Sequence, residues 1–212
     1  MTVMQCIDGF VQNAVFRIPI LTNEIYEYVL SKLPDTNKAT FNMTLQRYAK
    51  RNPDFVRYKK GIYYKTVHTP FGAAGIDTTE LVKRTYLVNG DEVIGYESGP
   101  SYMNKIGLTT QMPSLDYIVT LRTRYTTEDK KNRVYLMKPV IPINRDNYRY
   151  LQFLDILDNK MNVRIEADDY LEILRNQIDK FGLSFERLVG YAKYYNNYKV
   201  YLELSRIAKG VN

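Results

Sequence analysis

Asn42 and Gln46 stand four residues apart in the segment Lys38–Arg51, KATFNMTLQRYAKR. Four residues is about one turn of an α-helix, so their carboxamides share a face. Each can donate and accept at once along the N6 and N7 edge of adenine, and the Arg47 guanidinium matches the O6 and N7 pair of guanine. Thr40 and Met43 offer apolar contact to a thymine methyl. Lys38, Lys50 and Arg51 in this segment, and Arg57, Lys59 and Lys60 just after it, suit phosphate oxygens, which hold a protein on a duplex without specifying sequence.

The charge balance agrees. From Asn37 to Thr66 there are eight basic residues and one acid, Asp54, a net +7 that equals the whole net charge of the chain. A localised positive field is the footprint of a polyanionic partner. Blander readings remain open. Asn42 and Gln46 also suit a merely solvated helix face, and Arg57, Lys59 and Lys60 also suit a strand edge blunted against aggregation.

Catalytic patterns are sparse. His68 is the single histidine and Cys6 the single cysteine, which leaves no disulfide framework and no zinc spacing. In Gly95-Tyr96-Glu97-Ser98-Gly99 the serine is fourth, whereas a nucleophile elbow needs it third. No phosphate loop ending in Gly-Lys-Ser or Gly-Lys-Thr is present. Carboxylate pairs occur at Asp155 and Asp158 and at Asp168 and Asp169, the latter at the expected start of a helix, where negative charge is stabilising. The expectation is no catalytic residue, no metal, no cofactor and no enzymatic activity. The opening MTVMQCIDGF does not read as a signal peptide, and no apolar run is long enough to cross a bilayer. A cytoplasmic protein with no membrane partner is expected. Tyrosine is abundant, at 20 copies without a tryptophan, a bias that AT-rich codon usage explains.

The elements that must position these residues follow from periodicity. Ile7, Phe10, Val11 and Ala14 suggest a short helix weakened by Gly9. Thr22 to Leu33 predicts a helix with Ile25, Val29, Leu30 and Leu33 on one face, capped by Thr22 or Asn23 and stopped by Pro34. Lys38 to Arg51 predicts the next, with Phe41, Leu45, Tyr48 and Ala49 buried and Asn52-Pro53 as its end. Phe55 to Lys59 and Ile62 to Thr66 predict a hairpin turning at Lys60-Gly61, with Arg57 and Lys59 on one face. This is the element order of a winged helix-turn-helix over residues 1–70. Residues 71–212 then predict a mixed α/β domain: a helix from Asp77 to Val88, strands at Glu92 to Gly95, Tyr117 to Arg124 and Arg133 to Val140, and helices over Asn147 to Leu157, Ala167 to Phe181, Ser184 to Tyr195 and Lys199 to Ile207. The fold class expected is α+β with a helical C-terminal tail.

Three stretches carry a resemblance. TLQRYAKRNPDFVRYKKGIYYK from Thr44, GYESGPSYMNKIGLTTQMP from Gly95 to Pro113, and KPVIPINRDNYRYLQFLDILD from Lys138 to Asp158 resemble bacterial AbiEi-type antitoxins. GLTTQMP is the most specific run, and Ile106 stands where the family pattern has leucine. The resemblance implies a regulator of a type IV toxin–antitoxin or abortive-infection system. Its winged helix would bind operator repeats of double-stranded DNA and repress its own operon. Its second domain would counter a nucleotidyltransferase-like toxin, with or without direct binding. Within the second stretch, Gly95, Tyr96, Ser98, Gly99, Asn104, Gly107, Leu108, Thr109, Thr110 and Gln111 are either structural or a partner-facing surface. The glycines and Pro100 suit turns, while Thr109, Thr110 and Gln111 suit loop backbone groups. Two rivals stay open: a DNA reader fused to a metal-dependent nuclease, and a protein-interaction adaptor without specific DNA binding.

Overall fold

The computed structural model describes residues 1–209 and divides the chain into two compact units, Met1–Leu81 and the part from Val82 on. The fold is mixed α and β with small sheets. Among the described residues no helix is long and apolar enough to cross a membrane.

The first unit opens with α1, Val3–Gln12. Thr2 and Gln5 cap it reciprocally: the Gln5 N–H donates to Thr2 Oγ1 at 3.3 Å and the Thr2 N–H to Gln5 Oε1 at 2.8 Å. That pairing, with Cys6, Ile7 and Val11 buried, offsets the helix-weakening Gly9. A two-residue strand β1, Ile20–Leu21, leads into α2, Thr22–Lys32. Neither Thr22 nor Asn23 caps α2 as the sequence suggested. The cap position is Leu21, whose N–H donates to the Glu24 carboxylate at 3.0 Å, one helical turn on. Asn37 then caps α3, Lys38–Arg51, by accepting the Thr40 N–H at 2.8 Å. Phe41, Leu45 and Tyr48 are buried at its base, packing with Ile7, Ile25 and Val29.

Strands β2, Phe55–Lys59, and β3, Ile62–Lys65, pair antiparallel, and β1 adds to the far side of β3. The expected two-stranded ribbon is therefore a three-stranded sheet, because β1 is too short to show a period. Two-residue strands β4, His68–Thr69, and β5, Gly72–Ala73, make a further hairpin. Residues beyond 70 belong with this unit: Arg17 Nε donates to Gly75 O at 3.0 Å, the Asp77 N–H to Arg17 O at 2.8 Å, and Ile76 and Leu81 pack with Ile62. The unit boundary falls after Leu81, past the composition change at 70, because these contacts tie a neutral segment to a basic body.

Helix α4, Thr78–Val82, runs into a π-helical turn at Lys83–Leu87 and a hairpin of β6, Val88–Asn89, and β7, Glu92–Val93. Next come β8, Gly95–Ser98, and α5, Gly99–Lys105. Strands β9, Asp116–Thr120, β10, Thr127–Asp129, and β11, Val134–Met137, complete a sheet ordered β10-β11-β9-β8 in which only β9 and β11 run parallel. Helices α6, Tyr148–Asp158, α7, Tyr170–Phe181, α8, Phe185–Ala192, and α9, Tyr198–Lys209, follow. Helix α6 is the axis of this core: Leu151, Phe153, Leu154, Ile156 and Leu157 are buried against Tyr96, Met103, Leu174, Leu188 and Leu204. Asp169 is the cap position of α7, in keeping with the expected role of the Asp168-Asp169 pair.

The stretch around Pro100, expected to be loop, contains α5. Proline in a first helical turn gives up no hydrogen bond, so Ser98-Gly99-Pro100 is a helix start.

Candidate nucleic-acid interface

Helix α3 buries one face, so its other face must meet solvent. Lys38, Thr40, Asn42, Met43, Gln46, Arg47, Lys50 and Arg51 are all exposed. Helical geometry ranks them. Met43, Gln46, Arg47 and Lys50 lie opposite the buried Phe41, Leu45 and Tyr48. Thr40 and Asn42 fall on opposite margins of that stripe, so they cannot read the same base pair. Ala39 shares the central stripe and was missed from the sequence; the spacing 39, 43, 46, 50 along the exposed face was the available sign. Met43 is 54% exposed, an apolar side chain with nothing to cover it in the isolated chain.

The hairpin stands beside this helix. A groove of about 440 Å³ runs between them, lined by Gln46, Ala49, Lys50, Pro53, Phe55, Val56, Arg57 and Tyr63. It brings together three residues picked out separately, Gln46, Lys50 and Arg57. The Phe55 and Tyr63 rings stack at 4.8 Å and form its floor. Arg57 and Lys59 do not share a face as expected. The register shifts between them, Arg57 facing Tyr63 and Lys59 facing Ile62, so the bulge breaks the alternation and leaves Lys59 half-buried. Lys60 is exposed at the turn.

Neighbouring groups tune the charge. The one acid of the basic segment, Asp54, is bonded to His68 Nε2 at 2.9 Å, so His68 sits against a carboxylate on the unit's surface and not in a cleft. Lys38 Nζ lies 5.8 Å from the Tyr26 ring centroid. Lys65 is engaged inward: its Nζ is 4.4 Å from the Phe16 ring centroid and donates to Gln12 O at 3.1 Å. At the base of α3, Tyr48 donates to Asp8 at 2.9 Å, and burial, with the Asp8 bond and charge, pushes its phenol up.

In the second unit the Gly95–Pro113 stretch is mostly built into the structure. Gly95 is sterically required, since a Cβ there would lie 2.2 Å from Tyr86 O. Gly99 adopts φ +57° and would press a Cβ to 3.1 Å from the Tyr117 side chain. Gly99→Ala is expected to cost about 1–2 kcal/mol from the left-handed backbone alone, read as a lower urea midpoint at unchanged m-value. Asn104 Nδ2 donates to Thr109 O at 3.0 Å, and the Gln111 N–H to Thr109 Oγ1 at 3.2 Å. Thr110 donates its N–H and its hydroxyl to Glu166, at 2.8 and 2.5 Å, which holds that carboxyl below its usual range. Leu108 is fully buried, while Gly107, Thr110 and Gln111 are exposed.

Ser98 and Tyr96 meet a carboxylate that the sequence had paired differently. Ser98 Oγ donates to Asp155 Oδ2 at 2.9 Å and Tyr195 to Asp155 Oδ1 at 2.7 Å. Asp158 instead accepts from Asn197 at 2.7 Å and lies 3.2 Å from Lys160 Nζ. Among the described residues no group of three or more His, Cys, Asp or Glu side chains is arranged to hold a metal ion.

No family model matches the chain, and no curated protein does. Among solved structures it is similar to the RV2827C protein of Mycobacterium tuberculosis, at 12% identity and a TM-score of 0.39, covering 94% of this chain and 79% of that one. A likeness at that score carries neither fold nor function.

Proposed function

We propose that this protein is a sequence-specific DNA-binding transcription regulator of the winged-helix type. In this reading α3 enters the major groove and the β2–β3 hairpin is the wing. The observation that carries it is the groove joining Gln46, Lys50 and Arg57, with Met43 and Arg47 alongside on a face that buries nothing. One side chain able to read a base and two cations able to hold phosphates there face a common space. The resemblance of Gly95–Pro113 to AbiEi-type antitoxins extends the proposal: the regulator would repress its own operon and serve as the antitoxin of an abortive-infection pair.

The test is a mobility shift on the DNA upstream of the gene, with a scrambled duplex as competitor. Specific retention is expected. Gln46→Ala should cost about 1–3 kcal/mol and relax preference at one base pair, whereas Lys60→Ala should weaken all duplexes alike. Equal retention of both duplexes, or of neither, rejects sequence-specific self-repression. Growth rescue on co-expression with the adjacent gene tests the antitoxin extension separately.

A further inference from the structure

Strands β10 and β11 pair antiparallel, with Thr127 opposite Leu136. In the same register Tyr125 stands opposite Lys138, beyond the last bonded pair. Where the ladder ends the two chains part and leave an open groove of about 590 Å³. One chain lends it Leu121, Arg124 and Tyr125, and the other Lys138 and the run Pro139-Val140-Ile141-Pro142. Both walls are pre-formed. The Arg122 N–H donates to Thr120 Oγ1 at 3.2 Å and its guanidinium to Asn89 Oδ1 at 2.9 Å. The Tyr125 N–H donates to Thr123 Oγ1 at 3.3 Å, and the Thr123 hydroxyl donates back to Tyr125 O. Pro139 and Pro142 fix their own φ, and Pro142 O accepts from Asn147 Nδ2 at 2.9 Å. The loop is thus held with its large apolar side chains outward: Tyr125 is 78% exposed and Leu121 45%.

The charge in this groove is one-sided. Arg124 and Lys138 line it and are exposed, and no acidic residue lines it. Neither cation has an ion-pair partner among the described residues. Lys138 also borders the cavity that holds Asp155 and Asp158, but the ion pair there is between Asp158 and Lys160.

We propose that this groove docks an acidic segment of a partner protein, one that carries an apolar side chain between its carboxylates. The apolar side chain lies against Leu121, Tyr125 and the aliphatic run, which removes their surface from water. The flanking carboxylates meet Arg124, whose guanidinium offers a bidentate fork, and Lys138, a point charge. Pro139 and Pro142 have no N–H to lend to an added strand, so recognition falls to side chains. Walls already held in place spare the ordering cost of closing on a ligand. A nucleic-acid strand fits less well, because Tyr125 is the one aromatic ring in the lining and successive bases need successive stacking faces.

Fluorescence anisotropy of the whole chain with a labelled peptide, Glu-Asp-Glu-Leu-Phe-Glu-Asp-Glu, tests this. The controls are the same peptide with its acids replaced by their amides, the same peptide with Ser-Ser for Leu-Phe, and an oligothymidylate. Saturable binding of the acidic peptide is expected, at least about tenfold tighter than either control peptide. Arg124→Ala and Lys138→Ala should each weaken it several-fold, and the double variant by about tenfold or more. Both side chains are exposed, so the melting temperature should not change. Tyr125→Ser should weaken the peptide and leave the salt dependence of binding as it was, since no charge is lost. The proposal is overturned by no saturable binding or by equal binding of either control peptide. Binding of the oligothymidylate that depends on Arg124 and Lys138, in place of the peptide, overturns it too. So does peptide binding untouched by the double substitution, the result that attraction to the basic face of α3 alone would give.

Discussion

Raising the salt from about 50 to 200 mM is expected to weaken the hold on a preferred duplex by about a thousandfold, roughly 4 kcal/mol. Six phosphate contacts, from Lys38, Lys50, Arg51, Arg57, Lys59 and Lys60, predict a slope of about −5 for log affinity against log salt, because each neutralised phosphate releases a condensed counterion. The structure grades the six. Lys50 and Arg57 border one groove and Lys60 is exposed at the hairpin turn, so each should account for about one unit of slope. Lys59 is half-buried at the bulge and should account for least. Lys65, held by Gln12 O and the Phe16 ring, should account for none. Filter binding across a salt series measures all of this. An affinity indifferent to salt would sink the electrostatic interface, whatever the sequence preference.

The second large effect belongs to Asp155. Burial pushes its carboxyl from 3.8 up to about 6, and the bonds from Tyr195 and Ser98 and the Lys160 charge only moderate that rise. Tyr96 and Tyr195 press on it from β8 and from the turn after α8, and both phenols are pushed well above their ordinary value, burial first and the Asp155 charge next. A carboxyl whose folded value exceeds its unfolded value binds protons preferentially in the folded state. Its contribution to stability is therefore full below the unfolded value and is lost as pH rises through the folded one. Between pH 4 and pH 6 that loss is about 2 kcal/mol for the raised value. Urea unfolding of wild type and Asp155→Asn, compared over this range, isolates it from carboxylates with the opposite trend, such as Glu166. The stability difference, wild type minus variant, should fall as pH rises from 4 to about 6 and then level. A flat difference would mean that Asp155 ionises in the native state as freely as in the unfolded chain.

Local chemistry was enough for much of the first unit. The bounds of α3 follow from an asparagine cap, a 3.6-residue apolar stripe and a terminal Asn-Pro, and all three act within a few residues of the helix. The β2–β3 hairpin follows likewise from β-branched and aromatic runs around Lys60-Gly61. The exposed residues of α3 were legible for the same reason: once the apolar stripe is assigned, the opposite face is determined. Helices α6 to α9 were readable from period as well, with ends shifted by up to a few residues.

What tertiary structure alone decided is whatever depends on partners distant in sequence. Strand β1 exists because Ile20 and Leu21 find Tyr63 and Ile62, and two residues carry no period of their own. The bulge at Arg57–Lys59, which separates two cations that simple alternation puts on one face, arises in pairing with β3. The first unit reaches Leu81 because Arg17 is bonded to Gly75 and Asp77. Asp155 looked like one member of a surface pair with Asp158, a spacing of three along a helix. Its burial and its hydroxyl partners come from β8, fifty-seven residues earlier, and from Tyr195, forty residues later. Periodicity reports which face of a helix is apolar. It is silent about a carboxylate on that face until the fold shows which hydroxyls meet it.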